Sequence, residues 1–96
     1  MAISQSLAEK RAEILKVAAT HGAKNLRVFG SFARGDERPE SDIDLLVEME
    51  PGRSLLDIIA IKYALEDMTN RKVDVVTEKA LSPYLRDKIL RDAVSL

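Results

Sequence analysis

The sequence predicts one α/β (α+β) domain in which helices and strands alternate in the order α-β-α-β-α-β-α. Apolar residues recur with helical spacing in some segments, and short apolar runs of strand length lie between them. Breaks at Gly22, at Pro51-Gly52 and at Ser82-Pro83 separate these segments. No repeat, low-complexity stretch or linker divides the 96 residues, which suffice for a single hydrophobic core. We therefore expect one domain over residues 1–96.

The first predicted element is a helix over residues 4–21. Ser6 and Glu9 have the spacing of a capping box, which would place the helix start a little after Ser4. Gly22 is a natural helix stop. The residues that form the apolar stripe of this helix are Leu7, Ile14, Leu15 and Ala18.

The next segment predicts a strand, a short helix and a turn. Residues 25–29 have strand character and run directly into Gly30. Residues 31–35 open a short helix, and the polar residues 36–41 form a turn around Pro39.

A second strand is predicted over residues 42–48, with alternating side chains. One face carries Ile43, Leu45 and Val47. The opposite face carries Asp42, Asp44 and Leu46.

The last part of the chain predicts a helix, a strand and a final helix. Ser54 and Asp57 can cap a helix that runs to about Met68, and residues 72–77 form the third strand. Ser82-Pro83 is a favourable start for a last helix, which we expect to continue to about Val94. The predicted buried residues of these two helices are Leu55, Ile58, Ile61, Leu65 and Met68, then Leu85, Ile89 and Leu90.

Composition excludes several classes of function. The net charge of −1 provides no surplus of Lys and Arg, which argues against direct nucleic-acid binding. The absence of cysteine excludes disulfides, thiolate metal sites and cysteine nucleophiles. No secretory signal is recognisable, and no segment approaches the ~20 apolar residues of a membrane span. We expect a cytoplasmic protein without membrane contact.

The acidic residues suggest a metal site. Asp42 and Asp44 lie two positions apart on one strand, so their side chains point the same way about 6.6 Å apart and can reach a common cation. Asp74 lies in the third strand, and the three carboxylates converge if that strand neighbours the second. Oxygen ligands favour Mg²⁺ or Mn²⁺ over zinc. Three carboxylates that hold two ions are suited to in-line phosphoryl or nucleotidyl transfer.

Gly30-Ser31, which the ten residues 32–41 separate from Asp42, predicts a phosphate site. A glycine at a strand end lets the backbone approach a phosphate, and Ser31 adds a hydroxyl group. Arg34 is placed to pair with the phosphate chain, and Arg38 is a weaker candidate. A simpler interpretation of Arg34 is a surface ion pair with Asp36 or Glu37.

A simpler interpretation also exists for each motif alone. An Asp-x-Asp in a strand is most often a solvated face, and a lone Gly-Ser is a turn. Their combination with Asp74 favours a metal and nucleotide site.

Three parts of the chain together carry a family resemblance: Gly30-Ser31-Phe32-Ala33-Arg34-Gly35, Ser41-Asp42-Ile43-Asp44-Leu45 and Asp74. In this combination the chain resembles the minimal nucleotidyltransferases of the DNA polymerase beta superfamily. The resemblance implies a mixed sheet of three or slightly more strands flanked by helices. It implies that Asp42, Asp44 and Asp74 are catalytic metal ligands and that Gly30 and Ser31 bind nucleotide phosphates. It also implies two Mg²⁺ ions, with Mn²⁺ as an alternative, and ATP as substrate.

Many members of this family are antitoxins of HEPN-domain ribonuclease toxins. The resemblance therefore implies an adenylyltransferase that moves AMP from ATP to a tyrosine hydroxyl of a HEPN toxin. A protein acceptor fits the absence of a second domain for gripping an acceptor. Two alternatives stay open: an inactive antitoxin that masks the toxin by contact, and a nucleotidyltransferase acting on a small molecule or an RNA end.

Overall fold

Within residues 5–96, the part of the chain that the computed structural model describes, four strands form one mixed sheet with helices packed against it. The elements in chain order are α1 (Gln5–Glu9), α2 (Arg11–Thr20), β1 (Ala23–Phe29), α3 (Ser31–Arg34), β2 (Ile43–Met49), α4 (Leu55–Thr69), β3 (Val73–Thr77), a 3₁₀ turn (Glu78–Ala80), α5 (Pro83–Asp92) and β4 (Val94–Ser95). The spatial order of the strands is β3-β2-β1-β4. β1 is antiparallel to both β2 and β4, whereas β2 and β3 are parallel. The predicted α+β class is confirmed.

The predicted continuous helix over residues 4–21 is wrong, because a turn at Lys10 divides it into α1 and α2. The Lys10 amide donates to the carbonyl of Leu7 at 3.1 Å, which closes the first helix with a tight turn. Leu7 and Ile14 are both buried on the two sides of this break. Leu15, which we expected in the buried stripe, is 36% exposed.

The predicted start of the first helix is only partly described. Ser4 lies outside the described residues. Ser6 lies inside α1, so the expected capping position of Ser6 is wrong.

One face of the sheet carries the hydrophobic core. The predicted inward face of β2 is confirmed, since Ile43, Leu45 and Val47 are all buried. Helices α1, α2 and α4 cover this face, and α3 adds Phe32 to it. The buried residues of the core are Leu7, Ile14, Ala18, Ala23, Leu26, Val28, Phe32, Ala33, Ile43, Leu45, Val47, Ile61, Leu65, Val73 and Leu96.

Helix α4 connects the two parallel strands. Ser54 and Asp57 form the predicted capping box at its start. Ile61 and Leu65 are fully buried, whereas Leu55 is 68% exposed and does not belong to the buried stripe. Leu55 is the first residue of α4, and the helix contributes buried side chains only from its second turn onwards.

The end of the chain differs most from the prediction. Helix α5 ends at Asp92, and Val94–Ser95 pair with β1 as a short fourth strand instead of continuing the helix. The Leu96 amide donates to the Leu26 carbonyl at 3.0 Å, and the Leu96 side chain is buried. Pairing with the open edge of β1 satisfies backbone groups that a longer helix would leave unpaired.

Helix α5 also differs from the prediction in its burial. Leu85, which we expected to be buried, is 55% exposed, and Ile89 and Leu90 are partly buried. In residues 5–96 no helix has the length and apolar character that crossing a membrane requires.

Candidate active site

Asp44 and Asp74 face each other across the parallel strands β2 and β3. Their Cα atoms are direct register partners, so the two side chains lie on the same face of the sheet. This face is opposite to the core, and Leu46 follows Asp44 on it, as predicted from the alternation. The condition set by the sequence, that the third strand neighbours the second, is therefore met.

The proximity of these acids changes the chemistry of Asp44. The pKa of the half-buried Asp44 carboxyl is raised from 3.8 to about 6, first by burial and then by the negative charges of Asp74 and Asp42. A hydrogen bond between the carboxyl groups of Asp44 and Asp74 acts in the same sense, whereas the charge of Arg34 opposes it. The site thus concentrates negative charge that a divalent cation would offset.

Asp42 lies just before β2 and is exposed. Its charge reaches Asp44, but within residues 5–96 no three Asp, Glu or His side chains are placed so that together they could hold a metal ion. The structure therefore brings Asp44 and Asp74 together directly and leaves Asp42 at the side of this pair. An all-oxygen donor set of this kind suits Mg²⁺ or Mn²⁺.

Strand β3 carries Asp74 on the edge of the sheet, and side chains of α4 hold its outer side. Glu66 Oε2 accepts from the Val73 amide at 3.0 Å, and Lys62 Nζ donates to the Val73 carbonyl at 2.8 Å. Lys62 also pairs with Glu66 at 2.9 Å. The pKa of Glu66 is lowered, mainly by the hydrogen bond from the Val73 amide and to a smaller extent by the hydrogen bond from Lys62. These contacts satisfy the amide and the carbonyl of Val73 on the side of β3 that pairs with no strand of the described sheet. They thereby hold the residue before Asp74 in place.

Gly30 joins β1 to α3 beside the acidic pair. Phe29, the residue before it, is the register partner of Asp44. The backbone of Gly30 has φ +74°, and a Cβ atom built on it would lie 2.5 Å from Oδ2 of Asp44. The backbone conformation therefore favours glycine at this position, and a side chain here would require the Asp44 carboxylate to move. Ser31 follows as the first residue of α3 and is partly buried.

Arg34 lies at the end of α3 with an exposed side chain. Its Nε donates to Oδ2 of Asp36 at 3.2 Å, so the simpler surface pairing is present in the structure. The charge of Arg34 nevertheless lowers the pKa of Asp44, which places the guanidinium within electrostatic reach of the site. Arg38 is exposed in the following loop, where its amide donates to Ser41 Oγ at 2.8 Å.

A cleft of ≈ 200 Å³ opens beside these residues. Helix α5 forms one of its walls, a role that sequence reasoning missed. The residues that line the cleft are Phe29, Gly30, Arg34, Asp44, Leu85, Lys88, Ile89 and Asp92. The spacing of the last four residues would place them on one face of a helix, but only the fold shows which surface that face meets. Larger depressions lie around Glu48 and Glu78 and contain none of the predicted site residues.

The amino-acid sequence of this chain matches a known protein family. Residues 9–96 match the family model described as "Nucleotidyltransferase domain". The MJ0435 protein of Methanocaldococcus jannaschii, named as a protein adenylyltransferase, is 42% identical over 88 residues, which cover 92% of this chain and 95% of that protein. The protein adenylyltransferase MntA of Thermococcus cleftensis is 36% identical over 73 residues, which cover 76% of this chain and 74% of MntA.

Solved structures of other proteins share this fold. A minimal nucleotidyltransferase superposes with a TM-score of 0.86 at 48% identity, over 96% of this chain and 94% of the other. A toxin-antitoxin structure with AMP-PNP shares the fold with a TM-score of 0.74 at 20% identity, over 88% of this chain and 69% of the other. The chain belongs to the nucleotidyltransferase domain family and is a nucleotidyltransferase.

Proposed function

We propose that this protein is a protein adenylyltransferase that transfers AMP from ATP to a tyrosine hydroxyl of a HEPN-domain ribonuclease toxin in the cytoplasm, and so acts as its antitoxin. The observation that carries this proposal is the register pairing of Asp44 with Asp74 beside Gly30. Relatives named as protein adenylyltransferases and the shared fold of a toxin-antitoxin structure with AMP-PNP support it.

Asp42, Asp44 and Asp74 are the residues that would hold two Mg²⁺ ions, or Mn²⁺ in their place. Their oxygens and the raised pKa of Asp44 fit this role, because the repulsion between the carboxylates is relieved when a cation binds. Such ions, when bound, lower the pKa of the attacking hydroxyl and neutralise the leaving pyrophosphate.

The chain itself supplies the binding surface for ATP. Gly30 lets the phosphate chain approach the backbone, and Ser31 offers its hydroxyl group. Arg34 and Lys88 bring positive charge to the cleft from two different helices. Leu85 and Ile89 give the α5 wall an apolar part against which a nucleoside can pack.

The transfer forms one bond and breaks one bond. The tyrosine oxygen bonds to the α-phosphorus of ATP, the bond from that phosphorus to the bridging oxygen of the β-phosphate breaks, and pyrophosphate leaves. The tyrosine proton passes to solvent. The cleft is small and open, so the acceptor tyrosine is presented by the surface of the partner protein.

The proposal is tested by transfer of label from ATP with a labelled α-phosphate and Mg²⁺ to proteins that co-purify with this chain. We expect label on a partner with the wild type and none with Asp44→Ala. Asp67→Ala is a matched control, because Asp67 is an exposed acid on α4 that does not line the cleft.

The outcome also separates the alternatives. Toxin neutralisation that survives Asp44→Ala, without label, would support an antitoxin that acts by contact alone. Label on a small molecule or an RNA end, with none on a protein, would support the third alternative.

A further inference from the structure

Arg71 lies in the turn between α4 and β3, three residues before Asp74. Its Nη1 donates to the backbone carbonyls of Arg38 at 2.9 Å, Pro39 at 3.2 Å and Ser41 at 3.1 Å. The side chain is partly buried by these contacts. The guanidinium therefore holds the loop that leads directly into Asp42.

The same guanidinium also contacts α3. Its Cζ lies 4.9 Å from the centre of the Phe32 ring, which is a cation-π contact. Phe32 is 1% exposed, so its ring is fixed by the core, and it directly follows Ser31. Arg71 is thus linked to the segment that begins with Gly30-Ser31.

A backbone hydrogen bond completes the arrangement. The Ile43 amide donates to the Lys72 carbonyl at 2.9 Å, which ties the residue after Asp42 to the residue after Arg71. The chain segments that carry Ser31, Asp42 and Asp74 therefore meet around one side chain. A lysine in place of Arg71 lacks the planar group that can bind carbonyl oxygens and stack on a ring at the same time.

We propose that Arg71 is a positioning residue, which sets the mutual placement of Ser31, Asp42 and Asp74 for binding of the metal ion and the nucleotide. This inference rests on the proposed function of the site. Arg71 acts through the backbone and through Phe32, and its donors at Nη1 are directed at the loop carbonyls. A merely structural role would instead lower the stability of the protein and leave the metal affinity of the folded protein unchanged.

The test measures Mn²⁺ binding by electron paramagnetic resonance in the presence of AMP-PNP, for the wild type, Arg71→Met, Arg71→Lys, Lys72→Met and Asp44→Asn. Thermal unfolding without metal is recorded for each variant, so that affinities are compared well below the melting temperature. We expect Arg71→Met to weaken Mn²⁺ binding about tenfold and Arg71→Lys to weaken it about fivefold. Lys72→Met is the matched control, because the Lys72 side chain is exposed and its contact to Ile43 uses the backbone.

The remaining outcomes separate a failure of this inference from a failure of the proposed function. Arg71 variants with wild-type Mn²⁺ affinity and lowered melting temperature would overturn the inference and leave the proposed function intact. Should Arg71→Met fail to fold, Arg71→Lys decides the question in the same way. Absence of Mn²⁺ binding in the wild type, with Asp44→Asn indistinguishable from it, would overturn both the inference and the proposed function.

Discussion

Asp44 and Asp74 are opposite each other on the parallel strands β2 and β3, so that each carboxyl group lies within electrostatic reach of the other. The pair sits at the start of both strands, next to the end of β1, where Phe29 is paired with Asp44. Two acids so close together weaken the fold when both are ionised. The loss of folding free energy from this repulsion arises at this pair of residues, and it can be measured by unfolding experiments.

The raised pKa of Asp44 predicts a pH-dependent loss of stability in metal-free protein. The pKa of Asp44 rises from 3.8 to about 6 on folding. Protonated Asp44 therefore stabilises the folded protein fully below pH 3.8, and this stabilisation is lost as the pH rises through about 6. Asp44→Asn removes the ionisable group. In urea unfolding with EDTA at pH 7.5, we expect this variant to be about 1 kcal/mol more stable than wild type, a figure reduced for solvent screening.

The difference between the two proteins should disappear below pH 4. Asp67→Asn provides the control, since it removes an exposed acid of α4 away from the pair. Parallel pH profiles for the wild type and Asp44→Asn would contradict the assigned shift.

Divalent cations should stabilise the folded protein through the same residues. Mg²⁺ or Mn²⁺ that binds only the folded state at a hundredfold excess over its Kd adds about 2.7 kcal/mol. Differential scanning fluorimetry should show this rise for the wild type and a much smaller one for Asp74→Asn. An equal rise in both proteins would place the cation elsewhere on the surface.

Gly30→Ala should lose both stability and nucleotide binding. Its φ of +74° disfavours a side chain, and the new Cβ would lie 2.5 Å from Asp44 Oδ2. Gly52→Ala is a matched control, because Gly52 has φ +89° with no atom within 4 Å of a built Cβ. We expect Gly52→Ala to cost about 1 kcal/mol from backbone strain and Gly30→Ala to cost about 2–3 kcal/mol.

Calorimetric titration with AMP-PNP gives the binding part of this comparison. Gly52→Ala should bind as the wild type does, whereas Gly30→Ala should not bind measurably. Equal stabilities for the two variants would mean that the site relaxes around the new methyl group without cost.

Lys88→Ala should weaken ATP binding. Lys88 lies in the cleft with Gly30, Arg34 and Asp44, and a charge-assisted contact to phosphate at an exposed position corresponds to about a fivefold change in Kd. Arg91→Ala is the control, because Arg91 is an exposed cation of the same helix outside the cleft. An effect of equal size in both variants would indicate general attraction by the charge of α5.

Much of the fold was predictable from local patterns. The Gly30 turn, the alternation of β2 and the capped start of α4 each depend on a few neighbouring residues, and the structure has all of them. The neighbouring positions of Asp44 and Asp74 stayed conditional in the sequence, because the order of elements does not by itself show that the third strand pairs with the second, and the structure supplies that pairing.

The unpredicted features depend on contacts between distant segments. Strand β4 has two residues, too few for a periodic signal, and it exists because β1 has an open edge. The pattern of α5 indicated an apolar face, but not that Leu85 would border an open cleft. Arg71 carries no motif, because its partners in the loop lie 30 to 33 residues earlier in the chain.

The contact between Gly30 and Asp44 makes the order of evolutionary change at these positions matter. While Asp44 is present, a side chain at Gly30 would require the Asp44 carboxylate to move from its position in the structure. After Asp44 is replaced by a smaller residue, the steric part of that barrier is gone and the backbone conformation alone favours glycine. We therefore expect lineages that abandon the activity to lose Asp44 before Gly30, so that a retained glycine beside a missing aspartate marks a recently silenced enzyme.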